Sequence, residues 1–235
     1  MIAENVENIR RRIDRACHRA GRSPSEVTLV AVSKTFPADY IREVITAGVC
    51  DFGENYVQEV VGKRELLSGL DVRWHFIGHL QSNKAKYLTR WVYLIHTLDS
   101  IKLAREIDRQ AAGAGRTVEV LVEVNTTGES TKFGVAPDRA PELLRDLTPF
   151  QNIRVCGLMT MGPFLPDPEG SRPMFRQLRL LKENLSREKR HNVELRHLSM
   201  GMTGDFEVAI EEGATIVRIG TAIFGSRKKQ GRDDQ

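Results

Sequence analysis

Aromatic residues are scarce: Phe, Trp and Tyr make up only 6% of the 235 residues. Few rings are therefore available for successive bases to stack on, which argues against a single-stranded nucleic-acid groove. Cysteine is scarcer. Cys17, Cys50 and Cys156 are scattered, odd in number and without CxxC spacing, so neither a disulfide framework nor a zinc site is expected. No window reaches the ~18 uninterrupted apolar residues of a membrane span. The N-terminal MIAENVENIRRRIDRACHRAGR mixes acids and bases where a secretory signal would carry an apolar core. The expectation is a cytoplasmic, reduced protein without a membrane partner.

Charge of one sign is also lacking. Lys and Arg number 35 against 31 Asp and Glu, a formal net charge of +4. Much of the excess sits at the end of the chain, in Arg227, Lys228, Lys229 and Arg232, offset by Asp233 and Asp234. A solvated basic tail over 226–235 accounts for it, and no nucleic-acid partner is expected. At 40% hydrophobic and 28% charged, what is there is an ordinary globular composition.

Apolar periodicity orders the chain. An opening helix carries Val6, Ile9, Ile13 and Ala16 on one face. Short β-branched or apolar runs then alternate with helical stretches. The expected strands are Val27 to Lys34, Val49 to Asn55, Arg73 to Leu80, Trp91 to Asp99, Thr117 to Asn125, Ile153 to Gly162, Glu194 to Gly201 and Thr215 to Gly225. The stretch SNKAKYL is expected to be helical behind the third strand. A helix is expected to begin near Pro137 after the fifth, and none after the eighth. Right-handed crossovers make such a sheet parallel, and eight strands can close a (β/α)8 barrel. An open doubly wound sheet is the rival, but the first βα turn, SKTFPAD, has no GxGxxG for a dinucleotide. No linker divides the sequence. The fold expected is α/β, a single TIM-like barrel over 1–235, with 1–24 as an N-terminal helical addition.

In such barrels the chemistry gathers at the C-terminal ends of the strands. Lys34 lies there, just where an apolar strand emerges, and partial desolvation would favour its neutral, nucleophilic amine. A lysine that simply reaches into solvent fits the position as well. Barrels also often hold a phosphate between the loops after strands seven and eight. Here those loops read LSMGMTGDFE and RIGTAIFG. Gly201, Gly204 and Gly220 let backbone N–H groups approach an anion, Ser199 and Thr221 add hydroxyls, and a helix begins near Asp205. Glycines serving only tight turns are the plain alternative. An amine facing a phosphate cup describes a phosphorylated aldehyde, and pyridoxal phosphate (PLP) fits best, with Arg218 available to its pyridine nitrogen.

Other residues weigh less. His75 and His79 stand ~13 Å apart if both lie on a strand, too far to share an ion. His79 is placed at the mouth and His75 inside or at the bottom. Glu123 and Asn125 are supporting hydrogen-bonders as readily as ligand contacts. Met159, Met161, Met200 and Met202 read as barrel filling.

The segments AVSKTFP, FGENYVQE, WHFIGHLQSNK, VNTTGESTKFG, GLMTMGP, LSMGMTGDFEVAI and VRIGTAIFG resemble, in order, the pyridoxal phosphate homeostasis proteins. That family is similar to the barrel domain of bacterial alanine racemase and eukaryotic ornithine decarboxylase. The resemblance implies a fold-type III PLP protein with an internal aldimine on Lys34. It implies a phosphate held around Ser199, Met200, Gly201, Gly220 and Thr221, Arg218 at the pyridine nitrogen, and Asn55 near the ring. It also implies a cytosolic carrier or buffer of PLP, acting in vitamin B6 and amino-acid balance without substantial turnover, with apo PLP-dependent enzymes as acceptors. Thr203 stands where the family usually has Ser, and keeps the hydroxyl. Racemases of this type draw a second acid/base from an extra β domain of a partner subunit. Only SRKKQGRDDQ follows strand eight, so that domain is not expected and a monomer is. The competing readings are a weak PLP-dependent amino-acid racemase or transaminase using Lys34 as base, a class I aldolase-like barrel, and a nucleic-acid binder working through the tail.

Overall fold

A computed structural model of the chain describes residues 1–129, 131–162 and 165–225. The tail at 226–235 and part of the proline-rich loop after the sixth strand thus lie outside the described residues. Eight parallel strands close in sequence order: β1 (Thr28–Val32), β2 (Asp51–Glu54), β3 (Arg73–Phe76), β4 (Leu94–Leu98), β5 (Val118–Glu123), β6 (Ile153–Met159), β7 (Val193–Ser199) and β8 (Ile216–Ile219). The ring shuts where β1 pairs β8, with Thr28 opposite Ile216 and Ala31 opposite Ile219. The open-sheet alternative is excluded, because β8 has no free edge.

Helices α1 (Ile2–Arg19), α2 (Ala38–Thr46), α3 (Val57–Leu66), α4 (Ile101–Gly113), α5 (Ala140–Asp146), α6 (Arg172–Leu185), α7 (Phe206–Glu211) and α8 (Thr221–Phe224) supply the outer layer. α1 buries Val6, Ile9, Ile13 and Ala16, the stripe its sequence spacing marks, and packs on α2, α7 and α8. Asn5 Nδ2 also donates to the Ile223 carbonyl at 2.9 Å, tying α1 to the last helix.

Three local expectations change. The segment SNKAKY forms a 3-10 helix over Ser82–Tyr87. Pro137 lies in the turn before α5, and Pro141 is the proline of that helix's first turn. The run expected as an eighth strand to Gly225 stops at Ile219, and Thr221–Phe224 turns into α8 behind Gly220. A β-branched run of this kind suits a strand by propensity alone, but the chain must leave the ring once it reaches the mouth.

Side chains alternate across each strand. Trp74, Phe76, Val217 and Ile219 point out to the helices and join the large outer core. Val30, Leu94, Leu121, Cys156, Met159 and Ile216 form a smaller apolar cluster inside the ring. That cluster does not fill the interior. Asp51, His75, His96, Ser199 and Arg218 occupy inward positions and are buried.

Candidate cofactor site

A cavity of about 240 Å³ opens at the C-terminal ends of the strands. Lys34 and Phe36 come from the β1 turn, Asn55 from the end of β2, Ile77 from beyond β3, and Met161 from beyond β6. Met202, Thr203, Gly204 and Asp205 line it from the loop after β7, with Arg218, Gly220 and Thr221 from β8 and its turn. One wall is aromatic, since Phe36 stacks on Phe224 of α8 with centroids 4.9 Å apart.

The turn carrying Lys34 is held from behind. Lys63 of α3 is buried and spends all three ammonium protons: on the Ser33 carbonyl at 2.7 Å, Glu54 Oε1 at 2.7 Å and Glu59 Oε1 at 2.6 Å. Ser33 Oγ donates to Glu54 Oε1 at 2.6 Å, and the Thr35 amide donates to Glu59 Oε1 at 2.5 Å. Thr35 is a non-glycine residue at φ 70°. A β-branched residue takes that conformation only where surrounding bonds over-determine it. The clamp on Ser33 and Thr35 supplies those bonds and so fixes the backbone on both sides of Lys34. Burial raises the Glu54 carboxyl above its usual range, against the pull of Lys63 and Ser33.

Asn55 is positioned by a glycine across from it. A Cβ at Gly78 would sit 2.2 Å from the Asn55 carbonyl oxygen, so only glycine permits the approach. The Asn55 Oδ1 is buried and takes no hydrogen bond among the described residues.

Opposite Lys34, Met202 to Asp205 form a tight turn. The Met202 amide donates to Asp205 Oδ1 at 2.7 Å, and Ser171 Oγ donates to Asp205 Oδ2 at 3.0 Å. Thr203 and Gly204 are thereby presented to the cavity beside Gly220 and Thr221. The Ala222 amide reaches Thr203 Oγ1 at 3.5 Å, bringing the two turns together. A Cβ on Gly204 would meet nothing within 4 Å, and one on Gly220 would press to 3.3 Å from the Val32 carbonyl. Thr203, Gly204, Gly220 and Thr221 thus line one small volume with two hydroxyls and two glycines, a residue set of the kind anion binding uses.

Arg218 enters from the barrel interior. Its Nη1 donates to Ser199 Oγ at 2.5 Å and its Nη2 to the Thr160 carbonyl at 2.9 Å. Burial pushes its pKa down to about 10, with Glu123 and Asp205 opposing, so the guanidinium stays charged at neutral pH. Glu123 moves the other way: burial, then Asp99, raise its carboxyl to about 7, against Arg218.

Of the eight residues expected around the ligand, Lys34, Asn55, Arg218, Gly220 and Thr221 line the cavity. Ser199, Met200 and Gly201 do not; they lie one layer behind. Ser199 and Met200 are fully buried. Gly201 has φ 91°, and its missing Cβ would lie 2.9 Å from Phe206 Cα, so it serves the close packing of α7. The lining residues from this loop are Met202, Thr203, Gly204 and Asp205. Thr203 carried a signal in the sequence, as a hydroxyl residue in the glycine-rich loop. Met161 and Met202 face the cavity rather than filling the barrel, whereas Met159 and Met200 are buried.

Lys63, Glu54 and Glu59 gave no such signal, since a Glu–Lys pair four apart on a helix normally describes a solvated face. His75 is buried inside the ring, and His79 sits beyond β3, stacked on Phe133 at 3.9 Å. Among the described residues, no three His, Cys, Asp or Glu side chains gather as a metal site, and no helix is long and apolar enough to cross a membrane.

The family model for the alanine racemase N-terminal domain matches residues 4–228. A pyridoxal phosphate homeostasis protein of Aquifex aeolicus is 52% identical over 225 residues, covering 96% of this chain and 98% of that protein. Its counterpart in Pseudomonas aeruginosa is 43% identical over 230 residues, covering 96% of each. The solved structure of PipY from Synechococcus elongatus with PLP bound superposes with a TM-score of 0.82 at 35% identity, covering 96% of this chain and all of that one. The chain belongs to the alanine racemase N-terminal-domain family and, within it, to the pyridoxal phosphate homeostasis proteins.

Proposed function

We propose that this chain binds pyridoxal phosphate in the cavity, covalently through Lys34, and serves intracellular PLP homeostasis and amino-acid balance as a carrier rather than by sustained turnover. The observation that carries the reading is the convergence, in one small cavity, of a lysine on a clamped turn, a carboxamide and two glycine-bearing turns with hydroxyls. PLP supplies an aldehyde for condensation with an amine and an electron-withdrawing ring. Lys34 would be the residue whose amine holds that aldehyde covalently. Thr203, Gly204, Gly220 and Thr221 offer amides and hydroxyls to the phosphate, Gly201 and Met200 hold the first of these turns in place, and Ser199 acts through Arg218. Asn55 lies near the ring.

Arg218 would be the residue beside the pyridine nitrogen. A charged guanidinium there disfavours ring protonation and weakens the ring as an electron sink. That suits holding the cofactor better than carbanion chemistry. A monomer is the working unit in this reading, with release to cytosolic apo PLP-dependent enzymes as its use.

The test is the absorption spectrum of the protein and of Lys34→Ala, each incubated with PLP and desalted. A visible band retained by the first and lost in the second is the expected result; no band in either overturns the reading. Sustained racemisation or transamination of added amino acids, abolished by Lys34→Ala, would replace the carrier with an enzyme.

A further inference from the structure

We propose that Asp51, His75, His96 and Ser199 form one directional hydrogen-bond chain through the barrel interior, and that it positions Arg218 at the cavity from the opposite end of the barrel. Asp51 is the first residue of β2 and lies at the N-terminal mouth, beside Cys50 and Arg73. Its Oδ1 is 2.9 Å from His75 Nε2, His75 Nδ1 is 2.9 Å from His96 Nε2, and His96 Nδ1 is 2.9 Å from Ser199 Oγ. Arg218 Nη1 completes the line at 2.5 Å from Ser199 Oγ.

With both rings neutral, one direction satisfies every link; a cationic His75 would reverse the links beyond it. Arg73 donates to both Asp51 oxygens, at 2.8 and 2.6 Å, and keeps the carboxylate charged, so Asp51 only accepts. His75 must then carry its proton on Nε2, and its bare Nδ1 must accept from His96 Nε2–H. That leaves His96 Nδ1 to accept the Ser199 hydroxyl proton, and turns a Ser199 lone pair toward Arg218. Burial holds both histidines below their ordinary range, as the chain needs, although Asp51 pulls His75 the other way. His75, Arg218 and His197 act on His96 in the same direction and also disfavour its charging. With Nη1 on Ser199 and Nη2 on the Thr160 carbonyl, the guanidinium plane is fixed. The four residues are positioning residues and touch no ligand. What Arg218 meets in the cavity rests on the PLP reading; the chain itself does not.

The first measurement is side-chain nitrogen NMR of the ligand-free protein. Both His75 and His96 should be neutral Nε2–H tautomers through neutral pH. A bare Nε2 on either ring, or a cationic ring at neutral pH, overturns the proposal. The second follows the Arg218 side-chain signals in His96→Leu, which breaks the chain, and in His96→Gln, whose amide can accept from Ser199 and donate to His75. Leu should shift the Arg218 signals and weaken PLP retention by about tenfold, the scale of one lost charge-assisted bond, while Gln restores both. Unchanged Arg218 signals in a folded His96→Leu protein would make the chain passive filling and sink the idea. If the leucine variant does not fold, the tautomers of the unaltered protein still decide. If that protein retains no PLP, the proposed function fails while the tautomer and Arg218 results judge the chain alone.

Discussion

Two charge clusters around this barrel differ in the burial of their cations. Behind the Lys34 turn, the Lys63 side chain is 7% exposed and Glu54 fully buried, with every ammonium proton committed. On the outer surface, Arg172, Arg176 and Arg179 of α6 converge on Glu212, and Arg172 and Arg19 on Glu211. There Arg176 keeps 57% of its surface and Arg179 34%. The outer network has more ion pairs and less at stake. Glu212 is itself only 5% exposed, but it keeps two arginines when one is lost, whereas Lys63 is the one cation paired with Glu54 among the described residues. The smaller cluster is also the one tied to the site, because two of its bonds run to Ser33 and Thr35.

The largest effect should come from Lys63→Met, which leaves Glu54 buried without a cation. We expect a loss of about 3–5 kcal/mol in denaturant unfolding, together with faster loss of PLP from the loosened Lys34 turn. A loss no larger than that of a surface arginine would erase the distinction. Glu123 extends the rule to a buried carboxyl with no ion pair among the described residues. Its pKa is raised from 4.5 to about 7, so its protonated form favours the folded state. That contribution is full below 4.5 and lost as pH rises through about 7, a swing of about 3 kcal/mol. Glu123→Gln should remove this swing from the pH–stability curve. The depressed buried histidines slope the opposite way, their contribution being lost as pH falls below 6.5, so the difference between the two proteins isolates Glu123.

A smaller effect is expected from pairing Lys63→Met with Glu54→Gln. The double variant should recover about 1–3 kcal/mol relative to the sum of the single losses, measured as a double-mutant cycle. Simple additivity would mean that Lys63 acts on Ser33 and Glu59 without Glu54. Least of all, Arg179→Ala should cost under about 1 kcal/mol, and less at high salt. A larger cost would move the outer network into the same class as the inner one.

The order of strands and helices was readable because each element follows from local spacing: apolar stripes on α1 and α4, and short β-branched runs between them. Lys34, Arg218, Gly220 and Thr221 were readable for a related reason, since a barrel puts its strand ends at one mouth. The division between Ser199 and Thr203 was not. Both are hydroxyl residues in one loop, and only the strand's alternation and the turn closed by Asp205 send one inward to Arg218 and the other to the cavity. The Glu59–Lys63 pair carried no signal, because helical spacing cannot tell a solvated pair from one pressed against Glu54.

The sequence by itself determined the alternating α/β order, the N-terminal helical stripe and a lysine and glycine-bearing turns at strand ends, because these depend on periodicity and on where strands end. The tertiary structure alone decided which side chains share a cavity, why Thr35 tolerates its left-handed backbone, and that Asp51, His75, His96 and Ser199 lead to Arg218. Those facts are contacts between residues far apart in the chain, and ring closure, not local preference, sets them.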